Sequence, residues 1–151
     1  MIEIISELSH LLPGQILSGS ELGDKYTVDW SGESPLKPQV VVRIKTVADV
    51  SKLLAYCSEK KLAVVTQGGM TGLSGGSTPQ ASEIVLSLEL LSGITDIDVE
   101  SMTLTALAGT PLEQLQQAAN DIGFYLPLDL GARGSCTIGG DVATNAGGNQ
   151  V

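Results

Sequence analysis

The stretch from Gln67 to Ser77 reads Q-G-G-M-T-G-L-S-G-G-S and holds five glycines in eleven residues. The short apolar run Ala63-Val64-Val65 precedes it, so a strand empties directly into the loop. Glycine accepts positive φ and lets the backbone come close to a ligand. Successive N–H groups in such turns form a concave anion site, so the chemistry expected is a phosphate or pyrophosphate cradle. The alternative is a long glycine-rich turn that holds no ligand. A second segment, L-P-L-D-L-G-A-R-G-S-C-T-I-G-G-D-V-A-T-N-A-G-G-N, carries six more glycines between Gly131 and Gly148, so two loops hold eleven of the 18 in the chain. Within it Thr137 is placed to cap a short helix beginning at Ile138. Gly139 and Gly140 then fall in the first turn, where free N–H groups and the positive dipole end favour an anion. Two such loops some 65 residues apart suggest a long, two-part ligand held between them.

Other chemistries find no support in the sequence. No two glycines are separated by a single residue, so G-x-G-x-x-G is absent, and G-x-x-x-x-G-K-[ST] is missing too. Cys57 and Cys136 match no metal-ligand spacing, and His10 is the single histidine, which argues against a zinc site or a Ser–His–Asp triad. A net charge of −9 argues against a nucleic-acid surface and requires any phosphate to be held by local dipoles. The N-terminus lacks a basic leader, and no apolar run approaches the roughly 20 residues needed to cross a bilayer. The expectation is a soluble protein in a reducing cytoplasm, with both thiols free.

The elements that must position these loops are legible in the order of the chain. At 151 residues and 42% apolar content it suits one domain with a sizeable core. Ile2 to Leu12 has helical periodicity and ends at Pro13-Gly14. Residues 18–39 are rich in turn formers and read as irregular, with Trp30 packing the segment onto the core. Val40 to Ile44 reads as a buried strand. Thr46 caps a helix to about Lys60, whose Val47, Val50, Leu53, Leu54 and Cys57 share one face. Ala63 to Thr66 is the next strand, paired in parallel with the first through a helical crossover. Glu83–Leu88, Gly93–Val99 and Met102–Ala108 are further strands, the last two joined by an acidic turn. Thr110-Pro111-Leu112-Glu113 reads as a capping box for a helix that ends near Ile122, with Gly123 as its stop.

Taken together, Gln67–Ser77, P-L-D-L-G-A-R-G-S-C-T-I-G-G (127–140) and A-T-N-A-G-G (143–148) resemble the FAD-binding domain of the vanillyl-alcohol-oxidase / p-cresol-methylhydroxylase family. The similarity is greatest to its FAD-linked D-2-hydroxyacid dehydrogenases, and it covers roughly residues 24–151. It implies that Gln67, Gly68, Gly69, Met70, Thr71, Gly72 and Ser77 wrap the pyrophosphate and ribose of FAD. It further implies that Pro127, Asp129, Gly131, Ser135, Ile138, Gly139 and Gly140, with the turn Asn145 to Gly148 including Gly147, line the flavin and the other side of the diphosphate. Met70 stands where some relatives carry a flavin-linked histidine, and Cys136 lies near the place of a linking cysteine in others; noncovalent FAD is the expectation.

The resemblance implies an α+β fold: a small parallel sheet with flanking helices, then an antiparallel sheet that is incomplete here. Residues 1–23 would be an N-terminal helix and lead-in, and 24–151 the first portion of the FAD-binding domain, without its substrate domain. Family membership implies oxidation of a D-2-hydroxyacid of the D-lactate, glycolate or D-2-hydroxyglutarate type to the 2-oxoacid. A small hydroxyacid and a separate electron acceptor would be its partners, with any membrane association arising through that acceptor. The alternative is a catalytically inert cofactor-binding module. No residue of the chain is assigned a catalytic role, and no metal is expected. Open strand edges and unfilled loops predict marginal stability, self-association or poor solubility.

Overall fold

The computed structural model describes residues 2–32, 36–80 and 83–148. The predicted irregular segment therefore includes three residues, 33–35, that lie outside the description. Four strands form one sheet: β1 (Ile16–Ser18), β2 (Val40–Arg43), β3 (Val64–Gln67) and β4 (Ile84–Ser87). Their spatial order is β1-β2-β4-β3, with β1 antiparallel to β2 and the other three mutually parallel. The expected direct pairing of β2 with β3 is thus corrected. The central place belongs to β4, whose four residues are all buried and apolar apart from Ser87. A strand covered on both faces and both edges has to read this way. Strand β1 was not foreseen, because three residues leave no readable alternation.

Alternation along the strands divides the core into two layers. On one face Val40, Val42, Ile44, Ile84 and Leu86 pack against helix α1 (Ile2–Leu11) and helix α2 (Val47–Lys60). Helix α1 contributes Leu8, with Leu12 just beyond its end, and α2 contributes Leu53 and Cys57. On the other face Val41, Val65 and Val85 pack against Tyr26, Leu17 and Leu22. A short lead-in segment with two 3-10 turns (Gly19–Glu21 and Asp24–Tyr26), not an α-helix, therefore covers the second face.

Helix α2 begins as predicted, with the Thr46 hydroxyl accepting from the Asp49 N–H at 3.1 Å. Its buried stripe is narrower than expected, since Val47 is 67% and Leu54 45% exposed. The cause is geometric: α1 occupies the same sheet face, so α2 meets the sheet only along Val50, Leu53 and Cys57. Trp30 also departs from expectation. It is 60% exposed and does not pin its segment to the core; Tyr26 does that instead.

A separate antiparallel pair, β5 (Ile94–Asp98) and β6 (Thr103–Ala106), follows, then helix α3 (Leu112–Asp121) and helix α4 (Ile138–Thr144). The fold class is the expected α+β arrangement of a small, mainly parallel sheet and a distinct antiparallel one. The predicted capping box on α3 does not form. Pro111 is the N-cap, and the Thr110 hydroxyl instead accepts from the Gly93 N–H at 2.9 Å and donates to the Leu107 carbonyl at 2.6 Å. Thr110 thereby fastens the helix entry to the start of β5. Gly123, at φ 80°, ends α3 as expected.

Truncating Leu53 to alanine removes a fully buried side chain between α2 and the sheet. Leu53→Ala should therefore lower unfolding stability by about 2–4 kcal/mol, while Val47→Ala should change it by less than about 0.5 kcal/mol. Denaturant titration of both variants checks this, and equal losses would show that the buried stripe is assigned to the wrong face.

Candidate functional site

Strands β2, β4 and β3 end in register at Arg43, Ser87 and Gln67. By alternation these share the face of Val41, Val85 and Val65, so a polar row caps the second core layer. Gln67 is 1% exposed, and its Nε2 donates to the carbonyls of Tyr26 at 3.0 Å and Ser77 at 2.9 Å. One buried amide therefore joins both ends of the glycine loop to the lead-in segment. Asp29, also buried, is the second anchor, accepting from the Ser77 hydroxyl at 3.1 Å and the Ser31 N–H at 2.9 Å. Burial pushes its carboxyl upward, but the Ser31 and Ser77 donors outweigh that and hold it below its ordinary value. Held in this way, the loop leaves its backbone N–H groups from Gly68 to Ser77 without a backbone acceptor among the described residues. Met70 within it takes a left-handed conformation at φ 56°.

The second glycine segment lies directly against the first. A Cβ at Gly69 would collide with the Ser135 carbonyl and the Cys136 Cα, and one at Gly68 with the Thr137 hydroxyl. Likewise a Cβ at Gly139 would come within 2.6 Å of the Ala108 Cβ, and one at Gly148 would overlap the Asp129 carbonyl. Gly68 and Gly69 are thus required for loop-to-loop packing, Gly139 for packing on the segment after β6 and Gly148 for packing within the second segment, before any ligand is considered. Helix α4 starts after Thr137 as predicted, and of the two glycines expected to offer free first-turn donors Gly139 is corrected, while the Gly140 N–H finds no backbone acceptor outside its helix among the described residues. The N–H groups of Ile138 and Gly139 donate to the Thr110 and Ala108 carbonyls at 2.9 and 2.8 Å.

Among the described residues, four buried oxygens on or beside the two loops have neither a hydrogen bond nor an ion pair: Gln67 Oε1, Thr78 Oγ1, Thr137 Oγ1 and Asp141 Oδ2. Buried polar groups are ordinarily paired, so their concentration between two loops points to a polar ligand. The set fits a flavin dinucleotide. Unused backbone N–H groups suit diphosphate oxygens, and the Gln67 and Asp141 oxygens suit the hydroxyl or N–H donors of such a molecule.

Among the expected site residues, the fold brings Gln67, Gly68, Gly69 and Ser77 together with Ser135 and Gly140, and Asp129 with Gly148. Met70, Thr71, Gly72, Asn145 and Gly147 lie on the same two loops. Pro127 and Gly131 are exposed, and nothing stands within 4 Å of a Cβ at Gly131. Ile138 instead lines an apolar groove of about 550 Å³ between the β5–β6 hairpin and α3. Sequence reasoning missed Asp29, Thr78 and Asp141; the Y-T-V-D-W segment around Asp29 was the available signal.

Cations near the site are already engaged. Lys25 and Tyr26 both bond Glu89, and Arg43 Nε, buried without a hydrogen-bond partner among the described residues, lies 3.9 Å from the same carboxylate as an ion pair. Burial pushes the Glu89 carboxyl up, but those partners outweigh it and hold it low. Arg133 Nη2 sits 3.1 Å from Asp129 Oδ1, as an ion pair without hydrogen-bond alignment. Cys136 is buried, and burial together with the neighbouring Asp141 carboxylate pushes its thiol up to about 11. Such a thiol is a poor nucleophile.

Gly69→Ala should destabilise the protein by about 1–3 kcal/mol through overpacking against Ser135, whereas Gly131→Ala should be tolerated; thermal melting of both variants checks the contact. Asp141 provides a second prediction. Burial raises its carboxyl despite the donating Cys136 thiol, so the folded state holds that proton more tightly than the unfolded chain. Its contribution is present below the ordinary carboxylate pKa and is lost as pH rises through the folded value. Asp141→Asn should therefore raise the melting temperature of the cofactor-free protein at pH 7 and flatten that decline. A lower melting temperature at pH 7 would mean that the carboxylate is stabilising.

The sequence matches the family described as FAD binding domain over residues 38–151. It is 43% identical over 147 residues to mitochondrial D-2-hydroxyglutarate dehydrogenase of Bos taurus, covering 97% of this chain and 27% of that protein. The Danio rerio counterpart is 45% identical, with 99% and 28% covered. A putative mitochondrial D-lactate dehydrogenase of Schizosaccharomyces pombe is 46% identical, with 85% and 24% covered. The chain thus spans less than a third of the length of these relatives. Among solved structures, an alkyldihydroxyacetonephosphate synthase superposes with a TM-score of 0.86 at 19% identity, covering 98% of this chain and 32% of that one. 6-Hydroxy-D-nicotine oxidase of Arthrobacter nicotinovorans superposes at 0.67 with 21% identity, covering 78% of this chain and 26% of that one. Likeness at that identity concerns the fold alone. Two interlocked glycine loops with unused donors, in a chain matched over most of its length, lead to one conclusion: this chain belongs to the family of FAD binding domains, and FAD is its cofactor.

Proposed function

We propose that the chain is the first portion of the FAD-binding domain of a flavin-dependent oxidoreductase that converts a D-2-hydroxyacid to its 2-oxoacid. D-2-hydroxyglutarate, D-lactate and glycolate are the substrate types. The observation that carries this reading is the pair of locked glycine loops, in a chain 43–45% identical to proteins named D-2-hydroxyglutarate dehydrogenase. In this reading residues 1–23 are the helix and lead-in that cover the sheet, and 24–151 form the cofactor domain. Gln67, Gly68, Gly69, Met70, Thr71, Gly72 and Ser77 hold the pyrophosphate and ribose. Pro127, Asp129, Gly131, Ser135, Ile138, Gly139, Gly140, Asn145, Gly147 and Gly148 hold the flavin and the other side of the diphosphate.

FAD supplies the acceptor for the substrate hydride. The chain's own residues bind and orient it, with backbone donors standing in for cations. Attachment is noncovalent: Met70 offers no nucleophile, and the Cys136 thiol is buried and protonated at neutral pH. A base for the substrate hydroxyl and a cation for its carboxylate come from outside these residues, as does contact with a separate electron acceptor. The single histidine, His10, is exposed on α1 and bonds its own helix at the Ser6 carbonyl, 2.7 Å away. That favours a second reading for the chain taken alone, a cofactor-binding module without turnover. The named relatives are mitochondrial where composition suggested cytoplasm, and the chemistry proposed is the same in either compartment.

Trp30, the single tryptophan, adjoins the Asp29 anchor of the first glycine loop and serves as an internal probe. Titration with FAD should quench its emission saturably and raise the melting temperature. In the longer protein that carries this chain, anaerobic D-2-hydroxyacid should bleach the flavin absorbance, and the L-enantiomer should not. Absence of flavin from that protein would refute the reading; bound flavin that no hydroxyacid bleaches would leave only the module.

A further inference from the structure

Glu89 lies just past β4, and both its oxygens are engaged. Oε1 accepts from the Tyr26 hydroxyl and Oε2 from the Lys25 ammonium, each at 2.5 Å. Arg43 Nε stands 3.9 Å from Oε1. The Tyr26 ring is buried in the second core layer with Val41, Val65 and Val85, and Lys25 Nζ lies 4.8 Å from its centroid. The carbonyl of the same Tyr26 accepts from Gln67 Nε2, which also reaches the Ser77 carbonyl. Tyr26 is therefore pinned at both ends, its phenol to the carboxylate and its carbonyl to the amide that closes the first glycine loop.

Filling the core layer needs only an aromatic ring, and phenylalanine would do that without burying a hydroxyl. Apolar contact is non-directional, so it leaves a ring free to slide along the sheet. A hydrogen bond to a carboxylate is short and directional, and it fixes the ring along its length. Ser87, two residues before Glu89, pairs in register with Gln67. Neighbouring strands thus supply the two anchor points, and Tyr26 carries the position of one to the other. The loop held in this way keeps N–H groups without backbone acceptors. Such donors bind best when they are fixed in place before the ligand arrives.

We propose that Glu89 is a positioning residue for the cofactor: through Tyr26 and Gln67, its carboxylate fixes the first glycine loop in the conformation that receives the diphosphate. This rests on the FAD-binding reading given above. Both Glu89 oxygens are taken up by protein partners, so its effect on affinity is indirect. Lys25 from the lead-in segment and Arg43 from β2 offset the carboxylate charge. The bond to Tyr26 therefore sets geometry without adding uncompensated negative charge beside a phosphate site.

The test uses the holoprotein stripped of flavin and titrated with FAD, and with ADP as a probe that keeps the diphosphate without the flavin, below the melting temperature of every variant. Glu89→Met and Tyr26→Phe should each weaken both ligands by about five- to tenfold, within the usual range of coupling between separate sites. The double variant should bind no worse than the weaker single one, because both changes break one link. Glu89→Gln keeps an acceptor oxygen for Tyr26 and should restore affinity to within about threefold. Leu53→Ala, which loosens the other core layer, should leave both affinities within about twofold although it lowers stability. Unchanged affinity in folded Glu89→Met and Tyr26→Phe, additive losses, no rescue by glutamine, or an equal loss in Leu53→Ala would each overturn the proposal. Should Glu89→Met not fold, Tyr26→Phe, which keeps the buried ring, decides alone. Failure of the unaltered protein to bind either FAD or ADP would overturn the FAD reading itself.

Discussion

The arrangement depends on one steric constraint: the backbone of the first glycine loop lies directly on the backbone of the second. Gly69 meets Ser135 and Cys136, and Gly68 meets the Thr137 side chain, with no room for a Cβ at either place. This contact joins a loop that leaves the parallel sheet to a loop that leads into α4. It works because both sides gave up side chains there. The same closeness recurs where Gly139 meets Ala108 and Gly148 meets Asp129. The entropic cost of so many glycines in the unfolded chain is the counterpart of that contact.

Charge shapes the rest of the site. A chain with net charge −9 repels a diphosphate at long range, and the cations nearest the sheet end are tied to Glu89. Arg133 is likewise held by Asp129. What remains to oppose phosphate charge is a series of fixed backbone dipoles. Those act at short range, and they need no side chain to be ordered when the ligand arrives. Gln67 and Asp29 matter for this reason: they touch the loop from below and fix where its N–H groups point.

Four unpaired buried oxygens on or beside the two loops, among the described residues, are an expense in folding free energy that a packed core avoids. Proteins store such costs where function needs a group poised for a partner. In the core Val, Leu and Ile fill both layers of the sheet, and Cys57 packs as a small apolar residue.

Features set by local pattern were legible in the sequence: the glycine loops, the buried strands, the Thr46 cap, the Gly123 stop and the α4 start. Each depends on residues close together in the chain, where period and turn chemistry act directly. The insertion of β4 between β2 and β3, the existence of β1 and the exposure of Trp30 were decided only by tertiary structure. So were the diversion of Thr110 from capping to bonding Gly93, and the use of the Ile138 and Gly139 donors inside the fold. The pairings among these lie between segments 17 to 44 residues apart, and no local spacing encodes which distant carbonyl an N–H will find. Sequence alone thus determined what the loops are made of, and the tertiary structure decided which of their groups remain free, because packing consumes donors and acceptors before a ligand can use them.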